Sequence, residues 1–210
     1  MENILIAGAN GTTGKEIVNL LNQSQYFKPF AMVRKKEQQD YFKALGVETV
    51  LADLEKDVSE VTKNMDKVIF AAGSGGKNVV EVDQNGAKKL IDASKKHHVK
   101  KFVMLSSMGA DAPEKAEELQ DYLKAKHNTD NYLVESGLNY AIVRPGALNN
   151  DTRTNKISLE SKLNRQGEIT RNDVAQVLAR VANDDIANKE TFEILNGETL
   201  MAEAFTKIQE

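Results

Sequence analysis

Short apolar, largely β-branched runs alternate with longer amphipathic stretches along this chain. The runs are Ile4–Ile6, Phe30–Val33, Glu48–Leu51, Val68–Ala71, Phe102–Leu105, Tyr140–Val143 and Thr191–Ile194. The early ones are continuous rather than alternating, the pattern of strands covered by helices on both faces, so about seven strands of a parallel sheet are predicted. Between the runs, apolar residues recur at helical spacing over Lys15–Asn22, Gln38–Leu45, Asn85–His97, Glu114–Glu135 and Asp173–Asn183. Repeated strand–helix alternation predicts an α/β fold, a doubly wound parallel Rossmann sheet with right-handed crossovers. No repeat or proline-rich linker divides the chain, so residues 1–210 are expected to form a single domain. Residues 149–170 are polar and poorly periodic, and a loop with a short strand pair is expected there. The stretch 147–170 is expected to wall the substrate side.

Composition narrows the function classes. A chain of 210 residues suits one full core and is short for two. With 40% hydrophobic and 28% charged residues it should fold rather than remain disordered. A net charge of −3 offers no basic footprint, so nucleic acid is not an expected partner. Zero cysteines exclude disulfides, thiolate catalysis and sulfur-ligated zinc. His97, His98 and His127 show no metal-ligand spacing, so no metal is expected. No apolar run approaches membrane-spanning length, and Met1-Glu2-Asn3 lacks the basic start of a signal peptide, so a cytoplasmic location without a membrane partner is expected.

The chemistry begins at Gly8-Ala9-Asn10-Gly11-Thr12-Thr13-Gly14, directly after the first run and at a helix start. Gly8 permits a tight turn, Gly11 lets backbone amides approach a pyrophosphate, and Gly14 lets the helix sit close to the strand. The helix N-terminus then faces the phosphates. A purely connecting turn is the alternative, disfavoured by its place on the first strand. Cofactor choice turns on the end of the second run, where an NAD site usually offers an acid. Here Arg34-Lys35-Lys36 stand before the first carboxylate, Glu37, which suits the 2′-phosphate of NADP(H). These cations could instead solvate a helix start, a reading that fits Lys36 better than Arg34. In Ala52-Asp53-Leu54, Asp53 either meets the adenine amino group or caps a helix.

Seven stretches together resemble the short-chain dehydrogenase/reductase superfamily, and within it the small atypical NAD(P)-binding members of NmrA-like type. They are Gly8 to Gly14, Met32-Val33-Arg34, Ala52-Asp53-Leu54, Leu105-Ser106-Ser107-Met108-Gly109, Tyr122-Leu123-Lys124-Ala125-Lys126, Val143-Arg144-Pro145-Gly146 and Ile169 to Ala175, in order over nearly the whole chain. The resemblance implies cofactor contacts at Gly8, Asn10, Gly11, Thr12, Thr13, Gly14, Arg34, Lys35, Asp53 and Leu54. It further implies that Ala71, Ala72 and Gly73 line the cofactor, with Pro145 and Gly146 beside the nicotinamide. Ser107, or in second place Ser106, would bind a substrate oxygen. The stripe Leu119, Tyr122, Leu123, Lys126, Asp130 and Leu133 places Lys126 among apolar neighbours, where it needs a partner. That partner is either Asp130, four residues on, or the nicotinamide ribose. In the second case Lys126 lowers the phenol pKa of Tyr122 from about 10, and Tyr122 exchanges a proton with a substrate carbonyl or hydroxyl.

The implied activity is NADP(H)-dependent oxidoreduction of a small carbonyl, quinone or flavin-like acceptor by a monomer or homodimer. A non-catalytic NADP(H)-binding redox sensor is the alternative. Asp83 departs from the pattern, standing where many relatives carry an asparagine tied to the proton relay. Gly73-Ser74-Gly75-Gly76 reads as a mobile lip or a plain loop. Lys95 to Lys101 are expected to close a helix C-terminus. Lys162 and Arg165 are expected to be solvated, and Thr170 or Asn172 to cap a helix.

Overall fold

The computed structural model describes residues 1–206. Strands β1 (Glu2–Ala7), β2 (Phe27–Val33), β3 (Glu48–Leu51), β4 (Lys67–Phe70), β5 (Lys101–Leu105) and β6 (Tyr140–Pro145) contain the first six apolar runs, save that Ala71 falls just past β4. After them come β7 (Ala147–Asn149), β8 (Lys156–Glu160), β9 (Glu168–Thr170), β10 (Glu190–Asn196) and β11 (Thr199–Leu200). The helices are α1 (Thr12–Asn22), α2 (Lys36–Ala44), α3 (Ala87–Lys96), α4 (Gln120–Glu135), α5 (Arg171–Val181) and α6 (Met201–Thr206). The main sheet runs β11-β8-β10-β6-β5-β4-β1-β2-β3, and β10, β6, β5, β4, β1, β2 and β3 are parallel. This is the doubly wound α/β fold, reversing direction at β1 and β4.

Both sheet faces are covered, which is why the runs are continuous. Ile4 and Ile6 join a core with Ile17 and Val18 of α1, Phe42 of α2 and Val174 to Val181 of α5. Leu5 and Ala7, on the opposite face, join Leu90 and Ile91 of α3 and Leu133 of α4.

The sheet has more strands than the seven expected. β8 adds to β10 antiparallel, β11 adds to β8, and β7 pairs with β9 in a separate two-stranded sheet. β8 alternates, with Ile157 and Leu159 buried between exposed or half-buried neighbours, because only one face meets the core. That short alternation is masked by its polar surroundings. Helix α4 starts at Gln120 rather than Glu114. Pro113–Lys115 forms a single 3-10 turn and Leu119 takes a left-handed φ of 59°, leaving its side chain exposed and off the expected stripe. Ahead of α3, Val79–Gly86 winds as a wider π-helical turn.

The basic run also divides. Lys95 and Lys96 close α3 as expected. Lys101 instead opens β5 fully buried, in register with the buried Lys67 of β4. Lys67 Nζ donates to the Ala182 carbonyl at 2.8 Å and pairs with Asp184 at 2.6 Å. Lys101 Nζ donates to the carbonyls of Asn183 at 2.9 Å and Ile186 at 2.5 Å and to Asn188 Oδ1 at 2.9 Å. The pair thus serves the carbonyl end of α5, where cations are favoured. Burial first, and then the neighbouring Lys67, push the Lys101 ammonium down to about 8.

Candidate functional site

Parallel registration ends β1, β2 and β4 together, with Ala7 opposite Met32 and Phe70. The glycine turn sits on that edge. Gly8 has φ +87°, and a Cβ there would lie 2.5 Å from the Ala72 nitrogen, so the residue must be glycine for conformation and for space. A Cβ on Gly14 would lie 2.1 Å from the Gly8 carbonyl oxygen. The close approach of α1 to the turn therefore depends on Gly14. We expect Gly14→Ala to cost about 1–3 kcal/mol by overpacking, seen as a lower unfolding midpoint in denaturant, together with weaker nucleotide binding. Gly11 is the N-cap of α1, no side chain caps it, and the first turn carries no acid. The opening amides of α1 are left for an anion, and in this respect the turn fits a pyrophosphate.

Beside the turn lies a cleft of about 460 Å³. Gly8, Asn10 and Gly11 come from the turn, Arg34 from the end of β2, and Asp53 and Leu54 from beyond β3. Ala71, Ala72 and Gly73 enter from the end of β4. Thr12, Thr13, Gly14, Lys35, Ser106, Lys126, Pro145 and Gly146 do not line this cleft; Thr13 and Gly14 are buried. Asp53 caps no helix; its Oδ1 accepts from the Glu55 amide at 3.1 Å in a turn. Sequence reasoning missed Gln38, whose Oε1 accepts the Arg34 amide at 3.0 Å and the Lys35 amide at 3.2 Å, fixing the turn that presents Arg34. It also missed Lys77 and Asn78, which line the cleft from the loop after β4 together with Ser74 of the glycine-rich lip.

Next along the same edge stand the ends of β5 and β6, where Leu105 pairs with Val143. Lys126 is buried on α4 and donates from Nζ to the Leu105 carbonyl at 3.0 Å, with the Tyr122 ring centroid 5.6 Å away. Tyr122 is half-buried. Asp130 is not hydrogen-bonded to Lys126. Its Oδ2 accepts from Arg144 Nε at 2.9 Å and from Ser106 Oγ at 2.8 Å, with Arg144 Nη2 also at 2.9 Å. Burial raises the Asp130 carboxyl above its ordinary range, against the opposing pull of Arg144 and Ser106. No short sequence pattern marks Arg144 as that partner. Ser106 is thereby committed to Asp130, while the half-buried Ser107 donates only to the Met108 carbonyl at 3.2 Å.

The Met108 amide donates to the Pro145 carbonyl at 2.9 Å, bringing the serine loop against Pro145 and Gly146. A Cβ on Gly146 would lie 2.3 Å from Leu195 Cδ2 and 2.4 Å from the Gly167 oxygen, so packing alone accounts for this glycine. Lys162 is not merely solvated. It bridges Asp111 at 2.6 Å and the buried Glu193 at 3.1 Å, tying the 147–170 stretch to the loop after β5. Arg165 likewise donates to Ser158 Oγ at 2.7 Å. Thr170 is the N-cap of α5, accepting from the Asp173 amide.

The sequence profile of the NAD(P)H-binding family matches residues 8–185. The chain belongs to that family. This family is a Rossmann type akin to the atypical short-chain dehydrogenases/reductases. A Bacillus subtilis protein named as an uncharacterized sugar epimerase, YhfK, is 37% identical, covering 98% of this chain and 99% of its own. A solved Bacillus halodurans protein, provisionally named as an NAD-dependent epimerase/dehydratase, is 35% identical with a TM-score of 0.92, covering 99% of this chain and 100% of its own. The Lactococcus lactis oxidoreductase YlbE is 31% identical with a TM-score of 0.88, covering 99% and 96%. Among the described residues no group of three His, Asp or Glu side chains could hold a metal ion, and no helix is long and apolar enough to cross a membrane.

Proposed function

We propose that this protein is an NADP(H)-dependent oxidoreductase of a small carbonyl, quinone or flavin-like acceptor. The observation that carries the reading is the Tyr122–Lys126 pair on α4, held at the end of β5, the strand next to β4, while the cleft at the ends of β1, β2 and β4 presents Arg34. Bound nicotinamide supplies or takes the hydride. Lys126 holds the nicotinamide ribose, Ser107 hydrogen-bonds the substrate oxygen, and Tyr122 moves a proton at that oxygen through its phenol. Ser107 takes this part because Ser106 is engaged by Asp130. The test is NADPH oxidation across a panel of aldehydes, quinones and flavins. Sustained consumption supports net reduction; none would be seen in an epimerisation that returns the hydride, the activity for which the Bacillus relatives are named.

The preference for NADP(H) over NAD(H) rests on Arg34, which is exposed at the cleft rim with Gln38 beneath its backbone. Arg34→Ala is expected to weaken NADPH binding about 10- to 100-fold, the worth of a charged hydrogen bond, and to leave NADH binding unchanged in calorimetric titration. Equal loss for both nucleotides would remove Arg34 from the 2′-phosphate.

A second reading is a redox sensor that binds NADP(H) without turnover, like some NmrA-like proteins. It is favoured by Asp83, whose carboxylate accepts from the Ser74 amide at 3.0 Å rather than standing free for a proton relay. Nucleotide binding with no oxidation of any acceptor would support it.

A further inference from the structure

We propose that Ser74 is a further nucleotide-binding residue and that Asp83 is the positioning residue that sets it. This rests on the reading of the cleft as the nucleotide site. Ser74 lines the cleft, and its hydroxyl is buried without a hydrogen-bond partner among the described residues. A buried hydroxyl left unpaired is unfavourable, so it marks a place where a ligand completes the bonding. Ala72, two residues earlier, is the residue against which Gly8 packs, so the loop carrying Ser74 departs from beside the phosphate turn. A serine there has a donor to offer the ribose–phosphate backbone of the nucleotide.

Asp83 explains how the hydroxyl is held. Only 1% exposed on the π-helical turn, it accepts from the Ser74 amide through Oδ2 at 3.0 Å, and a Cβ on Gly73 would come within 3.3 Å of its Oδ1. After Ser74, Gly75 and Gly76 take φ of +63° and +83° with open space where a Cβ would stand. Their requirement is backbone conformation, which turns the chain back across the cleft. At the far end, Asn78 Nδ2 donates to Glu55 Oε1 at 3.0 Å, and both residues line the cleft. The loop is therefore tethered at each end, and the unpaired hydroxyl belongs to the residue whose amide makes the first tether. The π-helical turn also meets the helix of Tyr122 and Lys126, through Asn128 Nδ2 to Gln84 Oε1 at 2.7 Å.

Calorimetric titration of NADPH into the intact protein and its variants tests the assignment. Ser74→Ala is expected to weaken binding about three- to tenfold, the worth of one hydrogen bond. Asp83→Ala should lose a similar factor, and the double variant no more than either alone, because both changes remove one contact. Asp83→Asn, whose amide oxygen still accepts from Ser74, should restore most of the loss. Unchanged affinity in Ser74→Ala overturns the proposal, and it does so even if Asp83→Ala fails to fold. Additive losses overturn the role of Asp83. Binding of neither NADPH nor NADH by the unaltered protein overturns the nucleotide reading itself, an outcome distinct from the other two.

Discussion

Tyr122→Phe is expected to keep NADPH affinity and to lower turnover on a reducible acceptor by roughly 10²- to 10⁴-fold, the usual contribution of a positioned proton donor. The change removes one hydroxyl and leaves the ring. That ring is half-buried, with the Lys126 ammonium 5.6 Å from its centroid, so the aromatic contact survives the substitution. Lys126 keeps its hydrogen bond to the Leu105 carbonyl, and the cleft keeps its lining. Nucleotide binding measured by calorimetry is therefore the internal control. Steady-state rates with each accepted substrate then report on the proton alone. Unchanged turnover would remove Tyr122 from the chemistry and point to an acceptor that takes hydride without a protein proton donor.

Arg144→Met is expected to destabilise the protein by about 3–5 kcal/mol, because it leaves a buried carboxylate without its counter-charge. Asp130 is 1% exposed and all its hydrogen bonds fall on Oδ2, with Oδ1 unpartnered. With Arg144 gone, only Ser106 and the more distant Lys126 oppose burial. The pH dependence has a definite sign. The native Asp130 carboxyl already sits above its ordinary 3.8, and the substitution raises it further. A carboxyl raised in the folded state adds stability below its unfolded pKa and loses it as pH climbs through the folded pKa. The deficit of the variant is therefore greatest near neutrality and shrinks on acidification toward about 4, the unfolded carboxyl range. Urea unfolding of both proteins across that range measures it. The double variant with Asp130→Asn should recover part of the loss by removing the charge. A pH-independent deficit would show that lost packing of Arg144, not the charge on Asp130, is responsible.

The conformation of the glycine turn was legible because its signal is local. Three glycines after an apolar run dictate where a strand must turn sharply into a helix, and the contacts of Gly8 and Gly14 are with that same turn and the neighbouring strand end. Arg34 was legible for a similar reason, since the end of β2 follows from the run that forms it. Lys126 was legible only in part. Its burial followed from helical spacing, but its partner is a carbonyl of β5, contributed by residue 105, and no spacing rule reaches that far. Ser74 and Asp83 were separated in reading because a glycine-rich loop and a polar helix start carry no mark of facing each other.

By itself, the sequence determined the layered architecture: both-face burial requires continuous apolar strands, covering helices require a period near 3.6, and those two patterns admit few topologies. The tertiary structure alone decided which charges meet. Asp130 takes Arg144 rather than its helical neighbour Lys126, Lys101 goes under the end of α5 rather than closing the helix that precedes β5, and Lys162 joins Asp111 to Glu193. Periodicity records which face a side chain occupies, whereas ion pairing depends on which distant strand or loop brings an opposite charge to that face.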